Sequence, residues 1–276
     1  MIQLKRRRTK LPKAFKPPKL SASAHTLLDI YYAGVASGAF AFKSSAWKPA
    51  KAALKKESGG KCAYCEAPTD VVAHGDVEHF RPKSVYWWLA LCFDNYLYSC
   101  QICNQTYKGD NFPTSGAKLT APFVPSPKPA GLALDTLVSS LVVDAALVTD
   151  AQVIALWESE SADLPHPCFE NPEALFRYEA DPANEEVWVR STGGTRADRA
   201  MAAAEAYLGL NRDELRRERY VNYLTLAAFK EILEADLPPR ARQVGIREVR
   251  RMQAEREPFC GMRRYFARQW NLPGPI

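Results

Sequence analysis

Two Cys-x-x-Cys pairs, Cys62/Cys65 and Cys100/Cys103, flank the run Asp76-Val77-Glu78-His79-Phe80-Arg81-Pro82, and the second pair runs directly into Asn104. Four thiolates on two tight knuckles are the donor set that zinc prefers, and a closed four-sulfur site is structural rather than catalytic. Between the pairs stand a candidate general base, His79, with carboxylates and amides around it. Cys92, Cys168 and Cys260 have no such pairing and are expected to be buried free thiols.

The elements that must position these groups can be sketched from pattern. On a regular strand Glu78 and His79 would face opposite sides, so a strand end or bend is needed for both to line one site. Asn104 is expected in the first turn of a helix reaching Lys108, and zinc at Cys100 and Cys103 would hold that helix start against the Cys62/Cys65 knuckle. The metal would thereby set the distance from Asn104 to Glu78 and His79. His74 and Asp76 read chiefly as loop residues, Glu66 as a salt-bridging or capping residue of the knuckle, and Tyr86, Trp87 and Trp88 as core rather than base-stacking platforms.

Around this core the chain divides into a basic flexible arm (1–20), N-terminal helices (21–60), the cysteine-framed core (61–114), an irregular and partly helical connection (115–175), and a β-hairpin followed by helices (176–276). Helices are expected near 22–37, 45–57, 197–208, 211–234, 241–255 and 261–270, with the hairpin between Phe176 and Ser191. Asn211 and Glu214 have the side chains of a helix N-cap and its reciprocal partner. The fold class is α+β, mainly helical. The charge-rich C-terminal helices are assigned to docking a partner.

The chain has 276 residues, a net charge of +6 and 47% apolar content, ample for a core. Residues 1–20 carry eight bases and no acid, 109–211 fifteen acids against six bases, and 212–276 fourteen bases against nine acids. Basic ends around an acidic middle suit a protein that meets a polyanion. Paired CxxC motifs, charged residues beside the apolar stretch 24–42, and the lack of an apolar run of ~20 residues point to a cytoplasmic protein with no membrane role. With no P-loop pattern, nucleotide hydrolysis is not expected of this chain.

The order Glu78-His79, Asn95, then Asn104 behind a CxxC resembles the HNH branch of the ββα-metal (His-Me finger) nucleases. That resemblance implies a zinc-stapled ββα-metal core in which two strands and a helix surround one divalent cation. His79 would then be the general base, Asn95 the residue bracing the loop, and Glu78 with Asn104 the ligands of the catalytic metal. Asn stands where the family motif has a second His, and its carbonyl oxygen is a hard ligand suited to Mg²⁺ or Mn²⁺. Arg81, Lys83 and Lys108 lie close enough in sequence to contact backbone phosphates. Cys62-Ala63-Tyr64-Cys65-Glu66, Asp76–Lys83, Tyr86-Trp87-Trp88-Leu89, Ser99–Asn104, Phe112-Pro113 and Gly209-Leu210-Asn211-Arg212 are closer still to the HNH proteins (PtuB-type) of bacterial Septu anti-phage defence systems, which implies an ATPase partner encoded elsewhere.

The resulting expectation is a metal-dependent endonuclease, with DNA favoured as substrate. An RNA- or tRNA-cleaving effector, and a non-catalytic zinc module that binds nucleic acid or protein, stay open alongside it. No base-reading module separates DNA from RNA.

Overall fold

The computed structural model describes residues 1–69 and 74–275. Its chain order runs through α1 (Lys19–Ser37), α2 (Lys51–Glu57), β1 (Asp76–His79), β2 (Tyr96–Ser99), a π-helix (Ile102–Lys108), α3 (Gly131–Leu141), α4 (Asp150–Trp157), β3 (Phe176–Asp181), β4 (Glu186–Ser191), α5 (Thr195–Leu208), α6 (Asp213–Glu234), α7 (Pro239–Met252) and α8 (Cys260–Gln269). The class is α+β, with two antiparallel two-stranded sheets set among helices.

β1 and β2 pair with Asp76 opposite Ser99 and His79 opposite Tyr96. An isolated two-stranded ribbon is marginal in water, so this one depends on its packing. Tyr96 and Tyr98 are buried with Ala50 and Leu54 of the α2 region and with Leu11, Phe15 and Phe93, while Trp47 and Val77 border the cluster. A second cluster joins Leu20, Ala24, Leu27 and Leu28 of α1 to Leu137, Val138 and Leu141 of α3. Trp87 is buried there, Tyr86 is buried in the main core, and Trp88 is partly buried against both, as a core reading requires.

The main core joins the cysteine knuckle to the C-terminal half. β3 and β4 contribute Phe176, Tyr178, Val187 and Val189, and α5 contributes a face of Ala197, Ala200, Ala203, Ala204 and Leu208. That small-residue face lets α5 approach the π-helix closely. At its end Gly209 adopts φ +54°, and a Cβ there would lie 2.4 Å from the Tyr107 ring, so the corner between α5 and α6 requires glycine.

Residues 1–20 do not form the expected mobile arm. Ile2, Leu4, Leu11 and Phe15 are buried, the Leu4 amide donates to the Pro167 carbonyl, and Arg6 is buried against Glu57 at 2.6 Å. The apolar residues at positions 2, 4, 11 and 15, interleaved with the bases, explain the difference. The partly helical connection 115–175 contains two helices, α3 and α4, with Thr149 and Gln152 forming a capping box at the start of α4. Asn211 does not cap α6: its side chain accepts from the Val189 amide (2.8 Å) and donates to the Val189 carbonyl (3.0 Å), docking the helix corner on β4.

Candidate metal centre and adjoining cleft

The Sγ atoms of Cys62, Cys65, Cys100 and Cys103 all lie within 4.8 Å of one another. A tetrahedron with Zn–S bonds of ~2.3 Å places its sulfurs ~3.8 Å apart, and Cys65 and Cys100 are already 3.9 Å apart. The donor set and its spacing fit a metal such as zinc. The first knuckle is shaped by backbone bonds from Cys62 to Ala67 and from Glu66 to Cys62, with Glu66 at φ 64°. The Glu66 carboxylate is buried and accepts from Lys61 (3.0 Å) and from the Gly261 amide (3.2 Å), so it ties the knuckle to α8. Lys61 and the other groups around it hold that carboxyl well below the usual carboxylate range despite burial. Arg212 Nη1 lies 3.7 Å from Cys103 Sγ. Burial opposes its charge, but Cys103 and Cys65 more than compensate and raise its pKa. A four-thiolate zinc centre carries a net negative charge, which this guanidinium would offset.

Cys100 ends the β2 side of the hairpin and Cys103 lies in the π-helix, so the cluster fixes the helix start against the strands. The backbone bond from Gly109 back to Asn104 is of the i→i+5 type, a geometry often found at functional positions. Asn104 Nδ2 and Gln105 Nε2 then both donate to the Asp76 carboxylate, at 3.2 and 2.8 Å. Asp76 is thus placed on β1 at the head of the helix, not in a loop.

Beside the cysteine cluster opens a cleft of about 350 Å³, lined by Asp76, Glu78, His79, Lys83, Asn104 and Asp110 together with Ser44, Trp47, Lys48 and Lys51 from the segment before β1. Both Glu78 and His79 line it, at the end of β1 where strand alternation lapses. Glu78 is buried and lies 2.6 Å from Lys108 Nζ, which also donates to the His79 carbonyl at 3.1 Å. Burial pushes the Glu78 carboxyl up, and Lys108 partly counters it.

His79 is 6% exposed, with its ring held edge-on between Trp47 (4.8 Å) and Tyr96 (4.9 Å). Burial, with the nearby Lys83 charge, lowers its pKa to about 3, so the imidazole is neutral at pH 7. Nε2 lies 3.2 Å from the Ala90 carbonyl. A carbonyl can only accept, so Nε2 carries the hydrogen and Nδ1 keeps the free lone pair. Asn95 is fully buried, accepts from the Arg81 amide at 2.8 Å and donates to the Arg81 carbonyl at 3.0 Å, spanning the chain that leaves β1.

The three cations expected at phosphates separate. Lys83 lines the cleft. Arg81 does not: it is buried, paired with Glu160 at 2.6 Å and stacked 4.1 Å from the Trp157 ring. Lys108 has no exposed surface and is committed to Glu78. The sequence reading overlooked Trp47, Lys48 and Lys51, which lie nearly thirty positions before β1 and reach the cleft only through the packing of α2 on the hairpin. Cys92, Cys168 and Cys260 are buried free thiols, as expected. Among the described residues no helix is long and apolar enough to cross a membrane.

No family model matches the chain, and no solved structure matches it. The Septu protein PtuB of Bacillus mycoides (strain KBAB4) is 38% identical over 87 residues, which is 27% of this chain and 30% of that protein. The Septu protein PtuB of Bacillus thuringiensis is 44% identical over 64 residues, 22% of this chain and 25% of the relative. Each match spans less than a third of the relative's own length. Over that partial stretch, the chain resembles the PtuB-type proteins of Septu defence.

Proposed function

We propose that this chain is a zinc-stapled, metal-dependent HNH endonuclease that hydrolyses phosphodiester bonds of nucleic acid, with DNA favoured, and that it acts with an ATPase partner in a Septu-type anti-phage defence system. The observation that carries this reading is one cleft in which a buried, neutral imidazole meets an acidic and amide-bearing helix head, on a strand–strand–helix unit whose helix start carries part of the adjoining four-cysteine cluster. The defence role draws on the partial PtuB similarity.

In this mechanism Nδ1 of His79 takes the proton from the attacking water, while the Ala90 carbonyl and the two flanking rings hold the imidazole in one tautomer and plane. Asn95 fixes the backbone just beyond His79. Glu78 and Asn104 are the proposed ligands for Mg²⁺ or Mn²⁺, with Asp76 within hydrogen-bond distance of Asn104. A cation held there would supply Lewis-acid stabilisation of the charge that develops in phosphodiester cleavage. The four cysteines would hold zinc as a closed structural site that fixes the helix head and takes no part in the chemistry.

The test is incubation of purified protein with plasmid DNA and with total RNA, in Mg²⁺ or Mn²⁺, with and without the candidate ATPase. Cleavage that requires the cation and falls at least ~10²-fold in His79→Ala supports the reading. Full metal-dependent cleavage by His79→Ala sinks the assigned mechanism. If neither polymer is cut under any of these conditions, the chain is better read as a non-catalytic zinc module.

A further inference from the structure

Two unlike stretches of chain line the cleft. One stretch, β1 with the π-helix and the turn after it, presents Asp76, Asn104 and Asp110, the acidic and amide groups beside which the cation is proposed, while Glu78 is paired with Lys108. The other stretch, residues 44–51, forms a wall that presents Lys48 and Lys51, and Lys83 lines the cleft beside Trp47. Among the described residues none of these three lysines is paired with a carboxylate. They differ in this from Arg81 and Lys108, which are buried in ion pairs with Glu160 and Glu78. Lys48 is exposed and Lys51 and Lys83 are half-exposed, so all three reach solvent.

The wall is not a loose tail that happens to carry charge. Ala50 and Leu54 are buried against Tyr96 and Tyr98 of β2, so Lys48 and Lys51 are carried on a segment packed on the catalytic hairpin. Trp47 joins wall and base: its ring lies 4.8 Å from that of His79 on one side and 5.3 Å from Lys83 Nζ on the other. A lysine over an indole face is held by the ring's quadrupole, which keeps Lys83 in the cleft lining.

We infer that Lys48, Lys51 and Lys83 form a phosphate-binding wall that seats the nucleic-acid backbone in the cleft shared with the proposed cation ligands. This inference rests on the nuclease reading of the cleft and adds to it which residues hold the substrate. The ligand chemistry is the phosphodiester backbone, common to DNA and RNA. Such contacts carry affinity and register but no sequence information. Each neutralised phosphate contributes a slope of about −0.9 in log K against log salt for duplex DNA and about −0.7 for single strands.

The experiment measures binding of fluorescein-labelled 20-mers, as single-stranded DNA, duplex DNA and RNA of one sequence, to the full chain over a salt series. All measurements are made without divalent cation, so that cleavage does not intervene. Lys48→Gln/Lys51→Gln is expected to weaken binding roughly tenfold or more at moderate salt. Its slope should flatten by about 1.8 for duplex DNA and about 1.4 for single strands. Lys48→Arg/Lys51→Arg should keep the slope. Arg240→Gln/Arg247→Gln on α7, which removes equal charge away from the cleft, should alter it little.

An unchanged slope in the glutamine variant overturns the proposal. So does an equal loss in the α7 control, or no salt-sensitive binding by the unaltered protein at low salt. Which of DNA and RNA is held more tightly names the source of the phosphates. The two readings fail separately. Wall-dependent binding without any cleavage leaves the wall and removes the nuclease, whereas His79-dependent cleavage with an unaltered slope removes the wall alone.

Discussion

Lys108 is a long cation with no exposed surface, 2.6 Å from a carboxylate that is itself buried. Proximity in sequence suggested a phosphate contact, but position along the chain says little about side-chain direction. Arg81 shows the same limit, since it turns inward to meet Glu160, 79 residues away. Breaking a buried pair costs far more than replacing it with apolar residues of similar volume. Lys108→Met is therefore expected to destabilise the fold by about 3–5 kcal/mol in chemical denaturation, through the charge stranded on Glu78. Lys108→Met/Glu78→Leu should recover most of that loss while staying inactive as a nuclease. A single variant as stable as the parent would show that the pair does not hold the site. The motif could bring His79, Glu78 and Asn104 together as cleft residues, because the hairpin and the helix that follows it carry all three. Trp47 could not be placed with them, since nothing nearby in sequence ties it to His79. Trp47→Ala should lower the kcat of cleavage about tenfold by freeing one side of the imidazole. Trp47→Phe, which keeps a ring edge, should restore most of the rate. A change confined to KM would instead assign Trp47 to seating Lys83.

At the scale of elements, the helical periods and the β3–β4 hairpin were readable because each is a local pattern: α1, α5, α6, α7 and α8 lie within a few residues of where apolar spacing places them. The end of α5 was less readable, because Gly209-Leu210-Asn211-Arg212 serves tertiary contacts. Gly209 admits Tyr107, Leu210 is buried in the core, Asn211 bonds both backbone groups of Val189, and Arg212 reaches Cys103. An N-cap reading of Asn211 fails for that reason, although its residue type is right for a cap. Asn211→Ala leaves a buried amide and carbonyl on β4 without partners, so a loss of about 1–3 kcal/mol is expected in thermal or denaturant unfolding. Asn211→Gly, which at a helix N-cap would cost only a few tenths of a kcal/mol, should lose as much as Asn211→Ala here. The same corner carries the argument for the metal. Elemental analysis is expected to find about one zinc per chain, and Cys100→Ser should lose the metal and the cleavage activity together, with every proposed catalytic residue intact. Full activity in a zinc-free Cys100→Ser protein would refute the staple.

For the whole molecule, charge counting and burial give opposite pictures of residues 1–20. Eight bases with no acid suggest a solvated arm, yet Arg6 lies against the Phe93 ring at 5.1 Å and pairs with Glu57, and Ile2 and Leu4 enter the same core as Cys62, Cys65 and Cys103. Leu11 and Phe15 enter the cluster beneath β2, with Phe15 edge-on to Phe93 and Tyr96. Composition missed this because the partners lie 50 to 170 residues away, in α2, the β1–β2 connection and the segment before β3. The segment therefore links the metal knuckle, the hairpin of the cleft and the C-terminal half. Each of Ile2, Leu4, Leu11 and Phe15 contributes about 1.5–3 kcal/mol by its burial, and removing Arg6 strands the buried carboxylate of Glu57. Deleting residues 1–15 is accordingly expected to abolish cooperative unfolding or lower its midpoint by well over 10 °C in calorimetry, and to impair zinc retention. A mobile arm predicts a different result: an unchanged midpoint, full zinc occupancy and a loss confined to nucleic-acid affinity. Observing that pattern would overturn the packed segment and return its charges to the solvent.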